Sequence, residues 1–459
     1  MPDQAPNAAS SPQPNTPQNT PLLTALGLAG KTDAAQSGAP LALDAYRRQG
    51  GYAALARALA ELAPSQVIGE VRAAGLRGRG GAGGATAEKF AAVADTRDET
   101  RYLVCNAYDA DVRSLVSATL LARNPHLVLE GMALAAYAVG AQEAFLYVRS
   151  TRTAAAEAAQ KALSEALEQG LLGRNILKSP FSLAITVVGV DRGFMGGEES
   201  TLIEIIKGRP MKAQQRPPYP SEAGVYGKPT AVQNVETLVN LPAIIARGAN
   251  AFKATGSQAT SGTKLITVIG PDGARLVEIP FGATLRQALR AAGIDANESN
   301  SRGVVVGGME GGVLPLKALD TVYDFDALEQ AGVIVGSSMI EVLPNDACMV
   351  RWAMERSDYL AGESCGKCVP CRVGVKRVAG VLQGLVSGLG TDDDLKLLDE
   401  FSHYIPDGSL CGFGVHATHP LITAMRNFPD DFAAHLAGRC PTATCEPVRA
   451  HRFATKHVL

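Results

Sequence analysis

The chain has 459 residues, enough for roughly two to four domains, and its 46% hydrophobic and 19% charged content is that of an ordinary globular protein. Lys+Arg 43 against Asp+Glu 45 leave a formal net charge of -2, so there is no basic surplus for nucleic acid and no acidic tail. No run of about 18 apolar residues exists to span a bilayer, and eight cysteines are too few for a disulfide scaffold.

The first twenty residues, MPDQAPNAASSPQPNTPQNT, lack the basic start and apolar stretch of a signal peptide, and 1–42 read as a disordered tail. A cytoplasmic address follows by default. Helices are expected over 43–75, with Pro64 at a start and Gly75 at an end. A glycine-rich loop, GLRGRGGAGGATAEKF, then runs into a helix. YLVCNA, AFLYVRS and SLAITVVGV read as strands alternating with helices, which makes 43–261 an α/β domain. From 262 to 345 short strands between glycines (KLITVIG, ARLVEIP, VVVGG, GVIVGSSMIEVL) surround one helix, ATLRQALRAAG, a compact α+β module. Residues 346–436 turn helical and carry most of the cysteines; 437–459 read as a C-terminal extension.

In ESCGKCVPCRVG, Cys365, Cys368 and Cys371 stand at C-x2-C-x2-C, so one short turn can aim three sulfurs at one object. Cys411, in the glycine-flanked loop PDGSLCGFG, is the best fourth ligand. Three cysteines in close series plus a remote one suit an iron–sulfur cluster, with Lys367 and Arg372 placed to offset its charge. A structural zinc site also takes four cysteines and is the competing reading, although it more often uses two separated pairs. Cys440 and Cys445 offer only two ligands and read as part of a bland extension; Cys105 and Cys348 sit in apolar surroundings and read as core. The run Gly78–Gly83 suits a phosphate as its amides approach a helix start, yet it follows no clear strand and is as well read as a plain turn.

Taken in order, GLRGRGGAG, YLVCNA, NPHLVLEGM, GGEESTLIE, RPPYPSEAGVYGKPTAVQNVETL, ESCGKCVPCRVG and IPDGSLCGFG resemble the flavin-bearing, NADH-oxidising subunit of respiratory complex I and its diaphorase relatives in NAD-dependent hydrogenases and formate dehydrogenases. The resemblance covers about residues 43 to 435. It implies an FMN- and NADH-binding α/β domain, a ubiquitin-like β-grasp (SLBB-type) module and a helical bundle holding a 4Fe-4S cluster on Cys365, Cys368, Cys371 and Cys411. It puts the FMN phosphate on the loop of Gly78, Gly80, Gly81 and Gly83 with Lys89 nearby. Asn106, Asp109, Asp111, Gly197, Glu198, Glu199, Arg216, Tyr219, Gln233 and Asn234 are carried over to the flavin and NAD(H) pocket. It also implies redox partners in a complex I-like or diaphorase assembly, a thioredoxin-like 2Fe-2S protein among them, through which the chain associates with a membrane that it does not span.

The sequence departs from the family on the nucleotide side. Gly84 and Ala85 replace the usual Phe-Pro, Ala92 replaces a second aromatic, Tyr108 opens a shortened acidic stretch, Arg113 replaces a glycine, and Phe194 and Gly196 replace Tyr and Cys. Base–aromatic stacking contributes roughly 1–3 kcal/mol per ring in nucleic-acid systems, so nucleotide affinity is expected to be weakened. Three functions are consistent with these residues. One is an NADH dehydrogenase subunit passing electrons from NADH through FMN to the cluster. Another is a diverged paralogue that keeps the cluster and flavin but uses another donor. The third is a non-catalytic scaffold stapled by a metal.

Overall fold

The computed structural model describes residues 21–26, 28 and 38–445. Its first sheet is wholly parallel, in the order β3-β2-β1-β4, from β1 (Tyr102–Ala107), β2 (Glu143–Arg149), β3 (Ala184–Val190) and β4 (Thr230–Asn234). β1 and β2 are nearly continuous runs of buried residues, as strands covered on both faces must be. The strand order reverses between β1 and β4, and their register sets Asn106 beside Asn234 at the carboxyl ends. That is where open α/β sheets bind ligands.

One face of this sheet rests on the helix Pro125–Val139, which is buried almost all round. Asn124 caps it by accepting from the Leu127 amide at 3.1 Å, with Pro125 in the first turn. A Cβ on Gly131 would stand 2.3 Å from the Leu238 carbonyl oxygen, so only glycine permits this helix to approach its neighbour so closely. Buried Glu130 accepts hydrogen bonds from the Tyr52 and Leu55 amides at 2.8 and 3.1 Å and from the Tyr46 hydroxyl, tying the amino-terminal helices to this core.

The second sheet has the order β6-β5-β9-β7-β8, from β5 (Thr263–Gly270), β6 (Gly273–Pro280), β7 (Ser301–Val306), β8 (Gly312–Pro315) and β9 (Met339–Pro344). β5 and β9 are parallel neighbours; the other pairs are antiparallel, and the helix Leu285–Ala291 packs on the sheet with Leu285 and Leu289 buried. A buried ion pair joins the two sheet systems. Lys264 Nζ meets Glu236 with both side chains fully inaccessible, and Glu236 also accepts from the Leu265 amide at 2.7 Å. The helices Met349–Glu363, Lys376–Val386, Asp392–Gly408, His419–Asn427 and Pro429–Leu436 form the remaining region around a separate core. No helix among the described residues is long and apolar enough to cross a membrane.

Several expectations need correction. The tail is not wholly without structure: Pro21–Ala25 is helical, Leu22, Leu23, Leu26 and Leu28 are buried, and Glu278 accepts from the Leu22 and Leu23 amides. Spaced leucines after a proline carry this anchoring, whatever the polarity of residues 1–20, which lie outside the described residues. The stretch GVIVGSSMIEVL is a strand only from Met339, because Gly332, Gly336 and Ser338 take positive φ and turn the chain before it. β4 falls on TAVQN, a stretch in which the sequence marks no strand, since its five residues carry little apolar pattern. The extension 437–459 is not bland where it is described: Cys440 and Cys445 meet Cys348 and His435, so Cys348 is not merely core. Residues 446–459 lie outside the described residues.

Candidate functional site

A cleft of about 580 Å³ opens at the carboxyl ends of β1 and β4. Of the residues carried over to flavin and nucleotide, Gly78, Gly80, Gly81, Gly83, Lys89, Asn106, Asp109, Gly197, Glu198, Glu199, Arg216, Tyr219, Gln233 and Asn234 all line it. Asp111 does not: it is buried, and its carboxylate accepts from the Met309 amide at 3.1 Å and from Arg113 at 3.0 Å. The volume falls within the roughly 300–1,000 Å³ of small-molecule and cofactor sites.

The glycine loop connects the helix Pro64–Ala74 to Thr86–Ala94 and is closed by the Gly78 amide donating to the Gly84 carbonyl at 2.8 Å. Gly81 has φ +111°, and a Cβ there would lie 2.6 Å from the Gly336 carbonyl oxygen. This glycine is therefore demanded by contact with the turn that leads into β9 as well as by its own positive φ. Arg79, nearly inaccessible, locks the loop from below. Its guanidinium donates to the carbonyls of Arg77 at 3.0 Å and Ser261 at 2.6 Å and lies 4.6 Å over the Phe281 ring, while burial lowers its pKa to about 10. Arg79 escapes a reading of the sequence, because nothing in a single sequence marks an arginine as buried.

The polar wall is a chain of charges. Glu198 caps the helix Glu199–Ile206, accepting from the Ser200 and Thr201 amides at 3.0 and 2.9 Å. Arg216 bridges Glu198 at 3.4 Å and Glu199 at 2.9 Å, and Lys89 pairs with Glu199 and donates to the Val232 carbonyl at 3.1 Å. Asn106 donates to the Gly197 carbonyl at 3.0 Å, holding the 194–197 turn against the end of β1. Asn234 accepts from the Glu236 amide at 2.8 Å. Asp109, at φ +50°, spends its carboxylate on Ser114, Ser117 and the Ala118 amide; burial nevertheless raises its pKa.

Two departures from the family are one structural event. A Cβ on Gly196 would stand 2.7 Å from the Tyr108 hydroxyl, so Tyr108 fills the space a side chain at 196 would need. That hydroxyl donates to the Gly193 carbonyl at 2.9 Å and accepts from the Arg192 amide at 2.8 Å, fixing the same turn. Arg113 is likewise committed, to Asp111 and to Glu341 at 2.9 Å.

The cysteines lie in the helical region. Cys365 and Cys368 precede a π-helical turn, Pro370–Val375, that contains Cys371; Cys411 precedes the short helix Gly412–His416. A Cβ on Gly414 would lie 3.4 Å from the Cys371 Cβ, so the remote loop reaches the trio. Burial pushes the Cys371 thiol to about 11; burial, together with Glu198 and Cys365, pushes Cys411 to about 12. Lys212 donates to the Cys365 carbonyl at 2.6 Å and Arg372 to the Gly366 carbonyl at 2.9 Å, placing cations beside the cysteines. Cys365 and Cys368 act electrostatically on Cys371, and Cys365 on Cys411, so the four thiols are neighbours. Such a donor set fits a multinuclear cluster.

The cleft and the cysteine loop share a wall. Gly412, Phe413 and His416, next to Cys411, line the cleft, and Phe413 packs against Phe194 with ring centroids 5.7 Å apart.

Comparison with known proteins agrees with this geometry. Residues 71–243 match the Nuo51 FMN-binding domain and residues 351–435 match the NADH-ubiquinone oxidoreductase-F iron-sulfur binding region. The NADP-reducing hydrogenase subunit HndC of Solidesulfovibrio fructosivorans is 36% identical over 88% of this chain and 83% of its own length. An F-type NADH-quinone oxidoreductase subunit of Rhizobium meliloti (strain 1021) is 35% identical over 87% of this chain and 96% of its own. The solved NAD+-reducing [NiFe]-hydrogenase in its H2-reduced state superposes with a TM-score of 0.77 at 30% identity, covering 92% of this chain and 68% of that one. With its FMN-binding domain and its C-terminal 4Fe-4S region, the chain belongs to the family of F-type NADH-quinone oxidoreductase subunits.

Proposed function

We propose that this chain is the NADH-oxidising flavoprotein component of a multisubunit oxidoreductase, delivering electrons from NADH to a 4Fe-4S cluster on Cys365, Cys368, Cys371 and Cys411. The observation that carries the reading is the shared wall: the residues following Cys411 line the same cleft as the glycine loop. When bound, FMN supplies two-electron acceptance and single-electron release, and the cluster accepts one electron at a time.

The chain's own groups bind and orient. Gly78, Gly80, Gly81 and Gly83 offer a side-chain-free cradle, and Lys89 supplies a positive charge at its edge. Asn106, Gln233 and Asn234 present hydrogen-bonding groups at the strand ends. Glu198 and Glu199, held by Arg216 and Lys89, set the charge of the wall that faces the cysteine loop. Phe194 and Phe413 keep the space between cleft and cysteines apolar. No side chain is needed as a nucleophile.

The four-part division at 43–261, 262–345, 346–436 and 437–459 belongs to this proposal. So does the reading of the second sheet as a β-grasp, SLBB-type module, which its central parallel pair and the packed helix Leu285–Ala291 support. Redox partners carry the electrons onward, beginning with a thioredoxin-like 2Fe-2S protein, on the cytoplasmic side and peripheral to a membrane.

A second reading has its own observation. Gly84, Ala85 and Ala92 are exposed and offer no ring for a nucleotide to stack on. A paralogue that keeps flavin and cluster but takes electrons from another donor would have this surface. An anaerobic NADH titration of the purified chain, followed by visible absorption, separates the two. Bleached flavin bands support NADH oxidation, and flavin indifferent to NADH supports the paralogue. A colourless protein would contradict both.

A further inference from the structure

A second metal-ligating group lies outside the redox site. Cys348 Sγ, His435 Nε2, Cys440 Sγ and Cys445 Sγ all lie within 4.8 Å of one another. Cys348–His435, His435–Cys445 and Cys348–Cys445 are each separated by 3.5 Å. Tetrahedral zinc with Zn–S of about 2.3 Å and Zn–N of about 2.0–2.1 Å requires S···S near 3.8 Å and S···N near 3.5 Å. A disulfide would require about 2.05 Å. We propose that these four residues bind one structural zinc ion in a Cys3His site distinct from the iron–sulfur cluster.

The surroundings are built for ligation. His435 Nδ1 lies 2.7 Å from the Asp431 carbonyl oxygen, which takes its N–H and leaves the Nε2 lone pair facing the three sulfurs. The Asp431 carboxylate is held in turn by Arg302 and by the Met349 amide at 2.9 Å, one residue from Cys348. Cys440 to Cys445 form a tight loop, with the Ala443 amide donating to the Cys440 carbonyl at 3.2 Å and the Thr442 hydroxyl 3.4 Å from the Cys440 sulfur. Cys348 stands at the N-cap of Met349–Glu363, where the free amides of the first turn favour a thiolate. Cys348, His435 and Cys445 are buried, so a divalent ion there is shielded from water. Three sulfurs and an imidazole around one point suit zinc rather than calcium or magnesium, which take oxygen ligands.

The placement gives the ion a role. Cys348 lies just after β9, where the cluster-bearing helices begin, and His435, Cys440 and Cys445 lie where they finish. The ion closes that region on itself, clasping its two ends and pinning 437–445 against its base.

Metal analysis and zinc K-edge absorption of the anaerobically purified full chain provide the test. The expected result is about one zinc per chain beside the iron, with a first shell of three sulfurs and one nitrogen at the distances above. Cys440→Ser, at a half-exposed position, and Cys445→Ser should each lose most of the zinc while keeping iron and flavin, and should make the segment after Leu436 sensitive to protease. The absorption measurement needs no variant, so misfolding of either one leaves the test standing. Zinc-free wild-type protein, a shell of oxygen and nitrogen only, iron at this site, a Cys348–Cys445 disulfide, or zinc retained in both variants would overturn the proposal.

Discussion

The cleft has two sides of different composition. On the cysteine side stand the four proposed ligands, and the loop that bears Cys411 lines the cleft with Phe413. On the nucleotide side the polar frame of Lys89, Glu198, Glu199 and Arg216 persists, while the aromatic positions are Gly84, Ala85 and Ala92. Cluster ligation depends on a fixed number of sulfurs, so losing one is costly. Nucleotide affinity is a sum of separate contacts and declines in steps. The two sides should therefore respond very differently to substitution.

The largest effect is expected on the cysteine side. Cys368→Ala should abolish the broad iron–sulfur absorption while flavin remains; retained absorption would contradict the ligand set. Next comes the buried pair behind the cleft. Lys264→Met leaves Glu236 without its cation and should destabilise the fold by about 3–5 kcal/mol, read by denaturant unfolding; a change under about 1 kcal/mol would show the pair to be dispensable. Gly81→Ala forces a Cβ against Gly336 at positive φ. It should cost about 1–3 kcal/mol and lower FMN occupancy, with the iron content unaffected.

The nucleotide side should respond in the gaining direction. A Cβ on Gly84 meets nothing within 4 Å, and Ala85 has a φ of -65°, compatible with proline. Gly84→Phe with Ala85→Pro should lower the KM for NADH about 5- to 150-fold, the equivalent of about 1–3 kcal/mol of stacking. An unchanged KM would mean that the missing ring is not what limits binding.

A separate effect, seen only as a pH dependence, concerns Glu310, which lines the cleft near His416. Burial, then Asp111, raises its pKa to about 8. Between its unfolded pKa near 4.5 and about 8 the folded form holds the extra proton, so stability should fall as pH rises through that window. Glu310→Gln should flatten that slope; a slope unchanged by the substitution would place the titration elsewhere.

Much of the redox site is legible in the sequence because its signals are local. Three cysteines at two-residue gaps and a glycine run before a helix follow from short-range chemistry. What escapes depends on distance. Cys348 is 97 residues from Cys445, and neither carries a local pattern that announces the other. Arg79 looks like any arginine beside glycines until Phe281 and Ser261 fold over it. The leucines after Pro21 are hidden by the composition ahead of them. Tyr108 and Gly196 look like two separate losses in sequence, whereas in space one fills the other's volume.

On the function proposed above, flavin cleft and cluster act as one electron path. This is tested most directly by electron paramagnetic resonance on anaerobic, NADH-reduced protein, comparing wild type with Cys411→Ser. The wild type should show flavin bleaching with a reduced-cluster signal, and the variant flavin bleaching without that signal. Flavin reduced by NADH in a wild type whose intact cluster stays silent at a potential low enough to reduce it, or a signal that survives loss of Cys411, would contradict it.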